Sequence, residues 1–159
     1  MKSNTPKNYT CPICLGNKGI ENEATLLKQA DLVFRDDLVR IWINSFWISG
    51  NEGHVIIVPN EHFENIYDLP EEVGNRIFQL SKMISKTIKE VYKCDGITIR
   101  QNNEPAGDQH ALHYHLHVFP RYEDDSFNQE LTKKSYLSDP EKRIEYVNKL
   151  KKYLMENYD

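Results

Sequence analysis

The sequence predicts an α+β fold: an antiparallel β-sheet packed by one long helix, with a further helix at the C-terminus. Three patterns carry that expectation. Runs rich in β-branched and aromatic residues, punctuated by turn residues, extend from Leu32 to Val58. An apolar period of three and four residues occupies the stretch from Pro70 to Tyr92, and a second one lies near the C-terminus.

The first ten residues are polar and lead into the knuckle Cys11-Pro12-Ile13-Cys14. Leu32-Val33-Phe34 followed by Arg35-Asp36-Asp37 predicts a strand that ends in an Asp-built turn. Val39 to Phe46 predicts a second strand. After the break Ser49-Gly50-Asn51-Glu52-Gly53, His54 to Val58 predicts a third, stopped by Pro59. Two such runs around a short polar loop make an antiparallel pair. Ile77, Leu80, Ile84, Ile88 and Val91 then share one helical face; Pro70 suits its first turn, and Glu71 and Glu72 suit the positive end of the helix dipole. Gly96 to Arg100 and Leu112 to Phe119 return to strand. Ser138 or Asp139 can cap the final helix, with Pro140 in its first turn and Ile144, Val147, Leu150 and Leu154 as its apolar stripe.

At 159 residues, 39% hydrophobic and 28% charged, the chain reads as one soluble globular domain. Its net charge of -4 argues against binding along a nucleic-acid backbone, which requires a basic face. Neither a secretory leader nor a run of membrane-spanning length is visible, so a cytoplasmic location is expected, with no membrane or nucleic-acid partner. Three cysteines do not make a disulfide framework; Cys94 reads as a small packed residue, and Cys11 and Cys14 as a metal or redox pair.

The informative segment is His113-Tyr114-His115-Leu116-His117-Val118-Phe119. On a strand, alternate side chains share a face, so the three imidazoles would stand in one row about 7 Å apart, with Tyr114, Leu116 and Val118 on the core side. Such a row can ligate a metal, but that chemistry wants a nearby carboxylate, and Glu123 follows only after Pro120 and Arg121. Alternatively, a neutral imidazole acts as nucleophile at phosphorus while its neighbours hold phosphate oxygens.

The row, with Val118-Phe119 and Pro120-Arg121 behind it, resembles the signature of the histidine triad (HIT) family. The loop Asn102-Asn103-Glu104-Pro105-Ala106-Gly107-Asp108-Gln109 resembles that family's Asn/Gly-rich loop. Gly53 to Pro59 with His62 resembles its Gly-His strand and Pro-x-x-His element, and Val33 to Asp37 its early strand and turn. The likeness runs from about Cys11 to Tyr122. It implies a HIT-like fold over a single domain, residues 1–159, with a core of about 11–122 and a helical extension of about 138–157.

Residue by residue, the resemblance makes His115 the nucleophile that displaces a leaving group from an α-phosphate, giving a nucleotidyl-histidine that water hydrolyses. His117 and Gln109 would contact phosphate, as would Asn102, with Asn103 as the register alternative. Asn44 would hold the ribose hydroxyls. Phe34 and Trp42 fall where apolar residues enclose the base, or are plain core aromatics. Two departures stand out: Asp108 interrupts the family's Ala-Gly-Gln, implying a loop one residue longer, and His110 stands where phosphoramidase branches often carry Ser. Cys11 and Cys14, with His62 and His113, resemble the ligand set of the zinc-carrying HIT proteins, a closed and therefore structural Cys₂His₂ site. His54 is the alternative fourth ligand.

The function so implied is a hydrolase or nucleotidyltransferase acting on a purine nucleotide or dinucleoside polyphosphate. It would need no catalytic metal, and the protein would be a homodimer. Nucleoside phosphoramidates are the alternative substrates, and a non-catalytic nucleotide-binding regulator is the alternative class. Arg121 offers a fork for a second phosphate if it turns inward.

Overall fold

The computed structural model describes residues 5–23, 25–130 and 135–158; of the polar lead-in, residues 1–4 lie outside that range. Five strands form one antiparallel sheet: β1 (Leu32–Arg35), β2 (Val39–Ile43), β4 (Val55–Pro59), β6 (Leu116–Arg121) and β5 (Gly96–Gln101), in that spatial order. Asp36 makes the first turn as expected, its Oδ1 accepting from the backbone N–H of Leu38 and Val39 at 2.9 Å. Alternation along the central strands sorts the sheet into two faces. Val39, Ile41, Ile43, Val55 and Ile57 point to one, and Trp42, Ile56 and Val58 to the other.

The first face carries the main core. It is covered by helix α2 (Glu71–Tyr92) through Val73, Ile77, Leu80, Ile84 and Ile88, and by helix α4 (Pro140–Asn157) through Val147, Leu150 and Leu154. Burying five such aliphatic side chains from α2 contributes on the order of 1.5–3 kcal/mol each, the main reason this helix stays on the sheet. Arg76 of α2 also reaches Asp36 at 2.7 Å, tying the helix to the first turn. In α4, Asp139 is the cap, its Oδ1 accepting from Glu141 N at 2.9 Å. The stripe is rotated from the expected one. Ile144 is 39% exposed, and the neighbouring Arg143 is buried instead, ion-paired to buried Asp31 at 3.2 Å and donating to the Leu26 carbonyl. That pairing is what makes a buried guanidinium tolerable.

Two strands depart from the sequence expectation. The second ends at Ile43, and Phe46–Ile48 forms a separate strand, β3, paired with β7 (Ser135–Leu137) in a two-stranded sheet. The short helix α3 (Phe127–Glu130) precedes β7 in the chain, and its Phe127 packs edge-on against Phe119. The histidine strand begins at Leu116 rather than Leu112. The β4–β6 ladder stops at Ile57↔Leu116, where β4 approaches Pro59. Proline has no N–H for a ladder, and its carbonyl is engaged by Asn17 Nδ2 and His113 Nε2. Tyr114 N therefore bonds to the Phe63 carbonyl instead.

Candidate active site

The site lies on the sheet face opposite α2. Its first part is the N-terminal knuckle. Cys11 is the N-cap of a six-residue helix, α1 (Pro12–Asn17), and its Sγ accepts from Cys14 N at 3.4 Å, so the two sulfurs are folded toward one point. His62, after Pro59, and His113, before β6, bring Nδ1 atoms to that point. Cys11 Sγ lies 3.5 Å from His113 Nδ1, and Cys14 Sγ lies 3.4 Å from His113 Nδ1 and 3.3 Å from His62 Nδ1. All four ligand atoms fall within 4.8 Å of one another. Zinc bonds of about 2.3 Å to sulfur and 2.0–2.1 Å to nitrogen, arranged tetrahedrally, place sulfur and nitrogen about 3.5 Å apart, so the donor set fits that ion. His113 Nε2 lies 3.2 Å from the Pro59 carbonyl, which fixes that nitrogen as the donor and leaves Nδ1 for a metal. Burial and the adjacent Cys11 sulfur push the Cys14 thiol up to about 12, and burial pushes His113 down to about 3. A divalent cation among these atoms reverses the first tendency and is served by the second. His54, the alternative ligand, is elsewhere, stacked on Phe119 at 4.2 Å.

Beside the knuckle opens a cavity of about 590 Å³. Its lining combines apolar side chains, among them Ile13, Leu27, Phe46, Ile48 and Ile56, with the polar His115, His117, Asn102, Arg100 and His110. The expected single row of three histidines is therefore divided: His113 belongs to the knuckle, while His115 and His117 face the cavity, their rings 4.9 Å apart and nearly perpendicular. The break in the strand before Leu116 is the cause. Tyr114, Leu116 and Val118 lie in the main core, as the alternation requires.

His115 is 7% exposed, and its Nδ1 lies 2.7 Å from the His113 carbonyl. A carbonyl only accepts, so Nδ1 carries the hydrogen and Nε2 keeps its lone pair. Burial lowers the proton affinity of His115, and lowers that of His117 well below the usual histidine value, so both rings are neutral. His117 Nδ1 is buried without a protein partner, and so is His54 Nδ1. Such orphaned atoms on a cavity mark places for a ligand or water. Asn44 donates through Nδ2 to His54 Nε2 at 2.7 Å and to the Phe46 carbonyl at 3.2 Å, leaving its amide oxygen as the acceptor for a ligand hydroxyl.

The loop from Asn102 to His110 is stapled from within. Asn102 lines the cavity, accepting from Arg100 Nε at 2.9 Å and donating to the Gly107 carbonyl, whereas Asn103 Oδ1 accepts from Ile66 N. Glu104 sits at φ 63, ψ 162, a region nearly reserved for glycine. Gln109 holds it there, with Oε1 accepting from Glu104 N at 2.7 Å while its Nε2 donates to the Glu64 carbonyl. Gln109 is thus committed inside the loop and does not line the cavity. Phe34 packs with the main core on the opposite face, and Trp42 is fully buried under the knuckle; neither reaches the cavity wall. Arg121 does not turn inward: Asp125 takes Nε and Nη2 at 2.7 Å each, and Thr98 takes Nη1 at 2.8 Å. The contributions of Arg100, Phe46, Ile48 and Ser135 were not foreseen. Only Arg100 carried a sequence signal, since its strand must pair with the histidine strand.

Comparison with known proteins agrees with this geometry. Protein hit of Bacillus subtilis is 28% identical over 57% of this chain and 61% of its own. An adenylylsulfatase of Arabidopsis thaliana is 28% identical over 79% of this chain and 58% of its own, and an adenosine 5'-monophosphoramidase of Saccharomyces cerevisiae 29% over 47% and 45%. The chain thus spans less than two thirds of the length of each of these relatives. Among solved structures, a zinc-bound histidine triad family protein from Mycobacterium smegmatis superposes with TM-score 0.72 at 24% identity, covering 92% of this chain and 94% of that one. Diadenosine triphosphate hydrolase of Plasmodium falciparum has the same fold, with TM-score 0.72 at 16% identity over 100% and 92%. The HIT domain model matches residues 26–124, from the segment just before β1 to the turn after β6 and well over half of the 159 residues, so the chain belongs to the HIT family.

Proposed function

We propose that the protein is a hydrolase or nucleotidyltransferase acting at the α-phosphate of a purine nucleotide substrate, with His115 as nucleophile. The observation that carries this reading is the His115 Nδ1 contact to the His113 carbonyl, which presents a neutral Nε2 lone pair at the cavity. His115 Nε2 forms a bond to the α-phosphorus while the bond to the leaving group breaks, its electron pair departing with that group. Water then attacks the same phosphorus and returns Nε2 to its starting state. His117 Nδ1 binds a phosphate oxygen, Asn44 Oδ1 accepts from ribose hydroxyls, and Ile13, Leu27, Phe46 and Ile48 enclose the base. Asn102 and Gln109 set the phosphate-side loop.

Zinc held by Cys11, Cys14, His62 and His113 fixes the knuckle and, through His113, the carbonyl that orients His115. With four protein ligands the ion has no open position for substrate. One domain of this kind, paired with a second copy as a homodimer, completes the reading.

The test is to denature the protein in alkali during turnover of a diadenosine polyphosphate and weigh it. A mass increase equal to one nucleotidyl group, lost on acid treatment and absent from His115→Ala, is expected. Turnover with no such adduct would favour direct attack by water, and binding with no turnover would favour the regulatory reading. Between substrate classes, dinucleoside polyphosphate is preferred to phosphoramidate. A tenfold higher kcat/KM for adenosine phosphoramidate, worth about 1.4 kcal/mol, reverses that order.

A further inference from the structure

With Arg121 tied to Asp125 and Thr98, Arg100 is the one arginine or lysine among the described residues lining the cavity. Its place is set by register. Arg100 is the β5 partner of His117 across the β5–β6 ladder, so both side chains leave the sheet on the same face. The guanidinium lines the cavity with His115 and His117, 27% exposed.

Its present partners are weak competitors. Nη2 donates to Asp108 Oδ2 at 2.6 Å, and that carboxylate is 48% exposed. Exposed ion pairs gain little over hydration and weaken further with salt. Nε is used by Asn102, which keeps the stem directed along the cavity. Asp108 takes a left-handed conformation, φ 68, at the end of the stapled loop, and its other oxygen lies 3.2 Å from Nε2 of the 89% exposed His110. The polar lining therefore includes a row of guanidinium, carboxylate and imidazole.

We propose that Arg100 is the second-phosphate residue of this cavity, held by Asp108 in the free protein and exchanging that carboxylate for the phosphate adjacent to the one His115 attacks. The planar fork matches two phosphate oxygens at once, which a single exposed carboxylate cannot outbid once a doubly charged phosphoryl group arrives. Asp108 and His110 lie where substrate extends past the α-phosphate. Asp108 repels anionic substrates that do not engage Arg100, making the cavity selective for nucleoside diphosphates and longer phosphate chains over monophosphates. This selectivity rests on the nucleotide reading of the site, and it concerns binding, so it is separable from covalent chemistry.

The experiment is calorimetric titration of the purified full chain with AMP and with ADP, for wild type, Arg100→Gln, Arg100→Lys and Asp108→Asn, with melting temperatures to confirm folding. Wild type should bind ADP at least tenfold more tightly than AMP. Arg100→Gln should reduce that ratio to below threefold, Arg100→Lys should restore part of it, and Asp108→Asn should raise affinity for ADP. A ratio unchanged in folded Arg100→Gln, or equal losses for AMP and ADP, would overturn the inference. An unchanged ratio in a protein that still forms the His115 adduct defeats the second-phosphate subsite alone. A collapsed ratio in a protein that forms no adduct defeats the covalent reading and leaves the subsite standing. Should wild type bind neither nucleotide, both fall.

Discussion

At His115 one hydrogen bond and the burial of the ring support the proposed role. The His113 carbonyl can only accept, and burial disfavours a second proton on the ring, so one nitrogen is left basic and directed by its neighbour's backbone. Replacing His115 with alanine removes that lone pair while leaving the apolar lining untouched. Loss of such a nucleophile costs on the order of 10⁴ to 10⁶ in kcat, and nucleotide affinity should change far less. A steady-state assay in which His115→Ala keeps a tenth of the wild-type rate would be incompatible with the assignment. Other residues were less legible. Asn44, Asn102 and His117 line the cavity, whereas Gln109 is consumed by the strained Glu104 peptide and Phe34 by the main core. A linear sequence shows which residues have polar atoms, but not which of those atoms the fold spends on itself.

Among elements, the knuckle is the one whose four donor atoms fit a single metal ion. Purified protein should carry one zinc per chain, and Cys11→Ser with Cys14→Ser should abolish it, as read by plasma mass spectrometry. Structural zinc contributes on the order of 10 kcal/mol of apparent binding free energy in small domains, so the double variant should also melt at a lower temperature. Brief exposure of the intact protein to EDTA should not inhibit competitively with substrate. Activity rising in proportion to metal added back to stripped, folded protein would instead indicate a substrate-binding ion. The long helix α2 and the central strands were readable because apolar period alone specifies them. Three features escaped. Helix α1 is too short for a periodic signal, the β3–β7 pair joins segments some 90 positions apart, and the late start of β6 depends on Pro59 in a neighbouring strand.

For the whole molecule, the five-stranded sheet has two edge strands, β1 and β5. Strand β5 ends the sheet, and beside it a groove between α2 and β5 exposes Ile66 at 49%, Phe78 at 74% and Ile99 at 50%. An unpaired edge flanked by apolar side chains invites a second copy. Light scattering at micromolar concentration should give twice the 18.7 kDa chain mass, and a charge placed at Phe78 should reduce it; a single-chain mass for wild type would contradict the dimer. No helix among the described residues is long and apolar enough to cross a membrane. The other small sheet has a consequence in time rather than space. Ser135 lines the cavity, and Ser138 donates to the Ser45 carbonyl, so part of the lining comes from a residue that follows β6. During synthesis, domains fold from the N-terminal side as they emerge. A nascent chain that has released only the histidine segment has His115 but lacks Ser135 and the α4 residues Val147, Leu150 and Leu154 that complete the main core. A chain truncated before Ser135 should therefore melt at a lower temperature than the full chain.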